Sequence, residues 1–206
     1  MKYIDLTHTF TADMPVYPGD PVPEFVQIAD LHKDGYTDYR ITTGMHAGTH
    51  MDAPFHMLEN GKRLSEISIE KFTGRGVLID ARGKSVIDEP LLDGIKENEK
   101  DIVLVMTGFY KKFREPEYYE KYPEISEGFA KKAVSLGIKI VGTDTPSPDR
   151  PPFDVHKILL GNEVLIIENL TNLEPLVGAG DFEVWALPAK FDVEAAPVRV
   201  VACVIN

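Results

Sequence analysis

The chain has 206 residues, of which 43% are hydrophobic and 27% charged, and its formal net charge is −11. An acidic surface repels phosphate backbones, which excludes nucleic acid as an expected partner, and no apolar run approaches the roughly 20 residues of a membrane-spanning helix. The amino-terminal segment also lacks the apolar stretch of a secretory signal, so we expect a single cytoplasmic domain, residues 1–206, without a membrane partner.

Short apolar or alternating runs predict nine strands, and three further segments predict helices. Ser126 is a suitable N-cap for the second helix, and Gly137 follows its end. Because strands and helices alternate in the middle and strands dominate both ends, we expect an α/β domain with a mixed, partly parallel sheet. The strands cover residues 3–8, 24–29, 38–43, 76–80, 101–106, 138–142, 164–167, 182–187 and 198–205, and the helices cover 89–97, 126–136 and 153–160.

Histidines are concentrated in one segment of the chain. His46, His50 and His56 fall within eleven residues, and Asp52 lies among them. Glycine and proline residues interrupt this segment, and β-branched threonines precede it, so a helix carrying the histidines is disfavoured. We predict an irregular loop that leaves the strand ending near Thr43, a position where functional groups commonly lie.

The residue types in this segment indicate a metal site. Imidazole and carboxylate ligands suit divalent ions such as Zn²⁺ and Mn²⁺, and a carboxylate can bridge two of them. A thiolate cluster is excluded because Cys203 is the single cysteine. A metal-bound water acidifies to a pKa of around 7, and a nearby histidine that is not a ligand can move its proton. The alternative is a non-catalytic metal-binding protein, which would have no use for such a histidine.

Residues 46–56 match the pattern His-x-Gly-Thr-His-x-Asp-x-Pro-x-His at every fixed position. The pattern resembles the motif of the cyclase family, whose members include bacterial kynurenine formamidases. Residues 17–21, 142–147 and 196–199 resemble the family's aromatic-Pro-Gly-Asp loop, its Gly-Thr-Asp-x-x-Ser segment and its small-Pro-Val-Arg strand. The resemblance covers essentially the whole chain. It implies a three-layer β/β/α swivelling-type domain within the α/β class.

The resemblance also implies a site for two divalent metal ions. Zinc is the expected metal, and manganese is the alternative. His46, His50 and Asp52 would hold one ion. Asp52 would bridge to a second ion, whose other ligands would be His156 and Glu168, twelve residues apart in this sequence.

The implied chemistry is amide hydrolysis by a metal-activated hydroxide, with His56 as the proton shuttle and Tyr17 as an aromatic wall for a planar substrate. In the formamidase version, N-formyl-L-kynurenine yields L-kynurenine and formate, a step of tryptophan catabolism. Isatin hydrolases share the motif, so another cyclic or aryl amide is the alternative substrate. Asp144 would either orient a ligand histidine or belong to an ordinary turn.

Two further expectations follow from the resemblance. Members of the family are usually dimers or tetramers, so we expect a homo-oligomer that acts on a small-molecule amide. The segment 191–194 departs from the glycine-containing stretch expected of a formamidase, because it is bulky and acidic. If this segment borders the pocket, the substrate preference differs from that of a formamidase.

Overall fold

The computed structural model describes residues 1–205, which form twelve strands and three α-helices joined by short 3₁₀ turns. Within this range, none of the helices has the length and hydrophobicity that a bilayer crossing demands. The helices are α1 (Leu31–Asp34), α2 (Glu127–Ser135) and α3 (Asp154–Gly161). The strands are β1 (Lys2–Asp5), β2 (Glu24–Ala29), β3 (Asp38–Thr42), β4 (His50–Asp52), β5 (Thr73–Asp80), β6 (Val86–Ile87), β7 (Ile102–Met106), β8 (Glu124–Ile125), β9 (Ile140–Thr143), β10 (Leu165–Glu168), β11 (Phe182–Pro188) and β12 (Ala195–Val204).

Seven strands close into a ring in the order β12, β11, β5, β7, β9, β10 and β4. Strands β5, β7, β9 and β10 run parallel to one another. The short strand β4 completes the ring, because it pairs antiparallel with β10 on one side and with the start of β12 on the other. The α/β class with a mixed sheet is therefore confirmed, and the sheet is barrel-like. The three-layer β/β/α arrangement and the single-domain organisation stay predictions.

The closed sheet separates two apolar clusters. Side chains alternate along a strand, so consecutive residues of β7 belong to different clusters. Leu104 lies in the cluster inside the ring, with residues from the other strands of the ring. Val103 and Val105 lie in the outer cluster, where Phe129 of α2 and Leu159 of α3 cover the sheet. This two-sided burial explains the continuous apolar run of β7.

All nine predicted strands are present, and their ends differ from the predicted ones by up to three residues. The second and third predicted helices are also present. Ser126 caps α2, since its side chain accepts a hydrogen bond from the Phe129 amide. The helix predicted over residues 89–97 is wrong, because only the 3₁₀ turn Glu89–Leu92 forms. Gly94 follows this turn with a φ of 89°, a left-handed conformation that does not continue a helix.

The predicted irregular loop over residues 46–56 is wrong in its middle, where strand β4 forms. Gly48 turns the chain with a φ of 65° just before the strand, and the 3₁₀ turn Pro54–His56 follows it. Three residues are too few to show an alternating pattern in the sequence. Pairing with two distant strands stabilises β4, and local sequence does not encode that pairing.

Gly61 allows the chain to pack directly against the turn that carries His56. A Cβ atom on Gly61 would lie 2.4 Å from the carbonyl carbon of Pro54. We expect Gly61→Ala to lower the free energy of unfolding by about 1–3 kcal/mol, because backbone must move to relieve the clash. Urea denaturation measures this change.

Gly161→Ala is the matched control, because a Cβ atom at Gly161 would meet no atom within 4 Å. This variant is expected to be at least as stable as the wild type, because alanine favours helix over glycine. If Gly61→Ala and the wild type have the same free energy of unfolding, the turn accommodates the Cβ atom without loss of stability, which would contradict the prediction.

Candidate metal centre

Strand pairing brings three of the five predicted ligands together. His50 and Asp52 are two residues apart in β4, so their side chains lie on the same face of the sheet. Glu168 stands directly opposite His50 in the antiparallel pair of β4 and β10. All three side chains are buried. His50 Nε2 lies 3.5 Å from Asp52 Oδ1 and 3.3 Å from Glu168 Oε2.

The other two predicted ligands reach the same cluster from outside the sheet. His46 lies in the turn before β4, and its Nδ1 atom is 3.1 Å from Asp52 Oδ1. His156 lies in α3, and its Nε2 atom is 3.3 Å from Glu168 Oε1. The structure therefore places all five residues that the resemblance implied in one cluster.

Buried polar atoms without partners test whether a cation fits this cluster. His50 Nε2 and both carboxylate oxygens of Asp52 are buried without a hydrogen-bond partner among the described residues. Such atoms are costly unless something satisfies them, and a divalent cation satisfies imidazole and carboxylate donors together. Two sets of side chains have ligand atoms that lie within 4.8 Å of one another inside each set. One set is His46, Asp52 and His56, and the other is His50, Asp52 and Glu168. Asp52 belongs to both sets, as a bridging ligand would. The sets group the other residues differently from the implied sites, because His56 takes the place of His50 in one and His50 takes the place of His156 in the other.

A fixed acceptor orients two of the ligand histidines. His50 Nδ1 donates to the carbonyl oxygen of Gly48 at 2.8 Å. His156 Nδ1 donates to Asp149 at 2.5 Å, and Asp149 also accepts from the Val155 amide. Each contact leaves Nε2 facing the cluster, which is how outer-sphere partners orient a metal ligand.

Sequence reasoning missed Asp149 and left Asp144 either this role or an ordinary turn role. The carboxylate of Asp144 instead accepts hydrogen bonds from Thr107 and from the Gly108 amide, which tie the ends of β7 and β9 together. No spacing in the sequence distinguishes Asp149, because the contact depends on how the segment after β9 leads into α3.

Burial and charge act in opposite directions on the ligand pKa values. Burial would lower the pKa of His50, but the carboxylates of Asp52 and Glu168 outweigh it and raise the pKa to about 9. Burial is likewise overcome at His156, where hydrogen bonds to Asp149 and Glu168 raise the pKa to about 10. Burial would raise the pKa of Asp52, but the neighbouring histidines hold it well below its usual range.

His56 differs from the ligand histidines. Burial lowers the pKa of His56 below its ordinary value, and the carboxylates of Asp52 and Glu168 do not reverse this. A neutral imidazole can accept a proton near pH 7. The His56 ring centroid lies 4.4 Å from that of His46 and 5.8 Å from that of His156. This placement suits a proton shuttle and is also within reach of a metal ion.

A pocket of about 210 Å³ opens over the cluster. Tyr17 lines it, as the resemblance implied, and its ring meets that of Tyr119 edge to face at 5.6 Å. Phe153 and Met57 add apolar surface, and Asp20 adds a carboxylate. The pocket therefore offers aromatic walls above the candidate metal ligands, an arrangement typical of sites for small molecules.

Glu194, which belongs to the departing segment 191–194, lies at the edge of the cluster. Its Oε1 atom is 3.6 Å from His46 Nε2, and its side chain is partly exposed. Glu194 does not line the pocket over the cluster. The departing segment therefore approaches the candidate ligands and does not line this pocket.

Similarity to known proteins extends over nearly the whole chain. An uncharacterized protein of Methanocaldococcus jannaschii is 38% identical over 98% of this chain and 99% of its own length. The kynurenine formamidase of Bacillus anthracis is 29% identical over 97% of this chain and 96% of its own length. Isatin hydrolase A from Labrenzia aggregata, solved with bound benzyl benzoate, is 25% identical with a TM-score of 0.87, covering 100% of this chain and 94% of that chain.

The profile of the Cyclase family matches residues 4–150, which is more than half of the chain. The chain belongs to the Cyclase family. The resemblance inferred from residues 46–56 is thereby confirmed.

Metal binding is expected to release protons, because His50 and His156 hold protons near pH 7 at the nitrogens that face the cluster. We expect at least two protons per chain to be released, since the pKa of His46 is raised as well, and the affinity for Zn²⁺ to fall as the pH is lowered from about 8.5 to about 6.5. Isothermal titration calorimetry in buffers of different ionisation enthalpy measures the number of protons.

A His32→Ala variant is the control, because His32 is exposed and lies outside the cluster. It should release the same number of protons as the wild type. Heats of binding that do not depend on the buffer would contradict the prediction.

Proposed function

We propose that the chain is a metal-dependent amide hydrolase that acts on a small aryl amide. One observation carries this proposal: buried donor atoms of His50 and Asp52 have no hydrogen-bond partner within residues 1–205, and they lie next to residues that line an aromatic pocket with His56. The names of the formamidase and the isatin hydrolase support hydrolysis of a C–N bond. Two divalent ions, with zinc preferred over manganese, would be held by His46, His50, Asp52, His156 and Glu168.

Ions bound there would acidify a water molecule and polarise the substrate carbonyl. The chain's own residues perform the remaining work. Tyr17, Tyr119 and Phe153 hold a planar ring, which orients the scissile amide toward the ligands. His56 accepts a proton from the attacking water at a ring nitrogen and donates it to the leaving nitrogen. The lowered pKa of His56 keeps it neutral and ready to accept that proton.

N-formyl-L-kynurenine is the first substrate we propose, with kynurenine and formate as products and tryptophan catabolism as the pathway. The carboxylate of Asp20 in the pocket offers a partner for the α-ammonium group of this substrate. Isatin is the second candidate, because no Lys or Arg is among the described residues that line this pocket, which suits a neutral ring. An Asp20→Asn variant separates them, since it should weaken binding of the formamide and spare that of isatin.

The shuttle role of His56 predicts that His56→Ala retains bound metal and loses turnover by about 10²- to 10⁴-fold. The assay follows kynurenine release from N-formyl-L-kynurenine by protein stripped with chelator and reconstituted with Zn²⁺ or Mn²⁺. The exposed His32 supplies a control, since His32→Ala should keep full activity.

Other outcomes of this assay have distinct meanings. Loss of metal from His56→Ala would make His56 a ligand. Unchanged activity would refute the shuttle. Tight metal binding without turnover of formylkynurenine or isatin by the wild type would favour the non-catalytic alternative.

We also propose that the protein is a homo-oligomer, a dimer or a tetramer. Strands β2 and β3 pair only with each other within residues 1–205, and they expose Tyr39 and Ile41. Beside them lies an apolar groove of about 610 Å³, lined by residues that include Ile41, Phe10 and Phe191. Contiguous exposed apolar surface is typical of protein interfaces.

Light scattering after size exclusion is expected to give a mass of at least two chains for the wild type. Ile41→Glu should shift the protein toward the monomer, because it places a charge in the proposed interface. Arg40→Glu changes the next residue of β3, whose side chain points to the opposite face, and should leave the mass unchanged. A monomeric wild type would refute the proposal.

A further inference from the structure

His46 lies between two carboxylates, one on each side of its ring. Its Nδ1 atom is 3.1 Å from Asp52 Oδ1 and so faces the ligand cluster. Its Nε2 atom is 3.6 Å from Glu194 Oε1, on the side away from Asp52. His46 therefore has an inner nitrogen available for a metal ion and an outer nitrogen directed at Glu194.

The other two ligand histidines have a hydrogen-bond acceptor at the outer nitrogen. The acceptor is the Gly48 carbonyl oxygen for His50 and the Asp149 carboxylate for His156. A metal-ligating histidine almost always donates its outer N–H in this way, which fixes the tautomer and increases the basicity of the inner nitrogen. Glu194 stands where the corresponding acceptor for His46 is needed.

We propose that Glu194 is a positioning residue of the metal centre, which accepts a hydrogen bond from His46 Nε2 and so directs the Nδ1 lone pair inward. The separation of 3.6 Å is slightly longer than an N–H···O hydrogen bond. The Glu194 side chain is one-third exposed, and the proposed hydrogen bond requires it to move slightly toward His46. Its backbone is anchored, because its carbonyl oxygen accepts from the Ala53 amide at 2.8 Å, just beyond β4.

Charge balance supports the same role. Two divalent ions would bring four positive charges, whereas the ligands Asp52 and Glu168 bring two negative charges to a buried site. Buried charge is stable only when it is compensated. Asp149 and Glu194 are further carboxylates next to the proposed ligand histidines, and each lowers the positive charge that remains. This inference rests on the part of the proposed function that places metal ions here, and not on the reaction.

The test measures metal binding by the full chain without any substrate. Zn²⁺ affinity is obtained by competition with a chromogenic chelator, and the ligand field is read from the visible spectrum of the Co²⁺-loaded protein. We expect Glu194→Ala to weaken Zn²⁺ binding about tenfold or more and to shift the Co²⁺ bands. Glu194→Gln should keep most of the affinity, since its amide oxygen still accepts a hydrogen bond.

Two control variants bracket the result. Asp149→Ala should weaken binding at least as much as Glu194→Ala, because it removes the acceptor from a contact with His156 that is buried and short. Asp192→Asn removes the same charge from the same segment, but Asp192 contacts Ser65 and Arg63 and no ligand. Its Zn²⁺ affinity should stay within about twofold of the wild type.

An affinity of Glu194→Ala within about twofold of the wild type, with an unchanged Co²⁺ spectrum, would overturn the inference. An equal loss in Asp192→Asn would also overturn it, because net charge alone would then explain the effect. If urea denaturation shows that Glu194→Ala does not fold, Glu194→Met takes its place under the same criteria, because it keeps the length of the side chain and removes the hydrogen-bond acceptor. The wild type could fail to hydrolyse amides while Glu194→Ala still weakens Zn²⁺ binding and shifts the Co²⁺ bands. That result would refute the proposed function and support this inference.

Discussion

The pairing of β4 with both β10 and β12 is the constraint on which the rest of the structure depends. This strand is only three residues long, yet it closes the ring of seven strands. His50 and Asp52 point toward the metal centre, whereas Met51, between them, points into the core inside the ring. One short strand therefore serves packing and ligand placement together, and a shift of register by one residue would exchange the two faces.

Electrostatics divides the histidines of the centre into two groups. His50 and His156 face carboxylates, so their pKa values rise well above the ordinary range. The pKa of His56 falls, because burial dominates there. Environments that move similar groups in opposite directions are a common basis for separate roles in catalysis. The same fold thus gives the proposed metal ligands raised pKa values and the proposed proton acceptor a lowered one.

Much of this architecture could be predicted from the sequence, because the apolar runs of the buried strands are continuous and the helix caps are local. The run of β7 and the cap at Ser126 are examples. The five ligands came from resemblance to a family motif, since no local pattern links His156 or Glu168 to the segment 46–56. Strand β4, the closure of the sheet and the contact of Asp149 with His156 were not predicted, because each depends on pairing between distant segments.

The aromatic side chains over the metal centre come from parts of the chain that do not belong to the sheet. Tyr17 lies in the loop before β2, Tyr119 in a 3₁₀ turn, and Phe153 just before α3. Three of the ligands, in contrast, are held by strand pairing. Substitutions in those loops therefore change the lining of the pocket while the ring keeps the candidate ligands in place. One scaffold of this kind can give rise to enzymes that share their chemistry and differ in the molecules they accept.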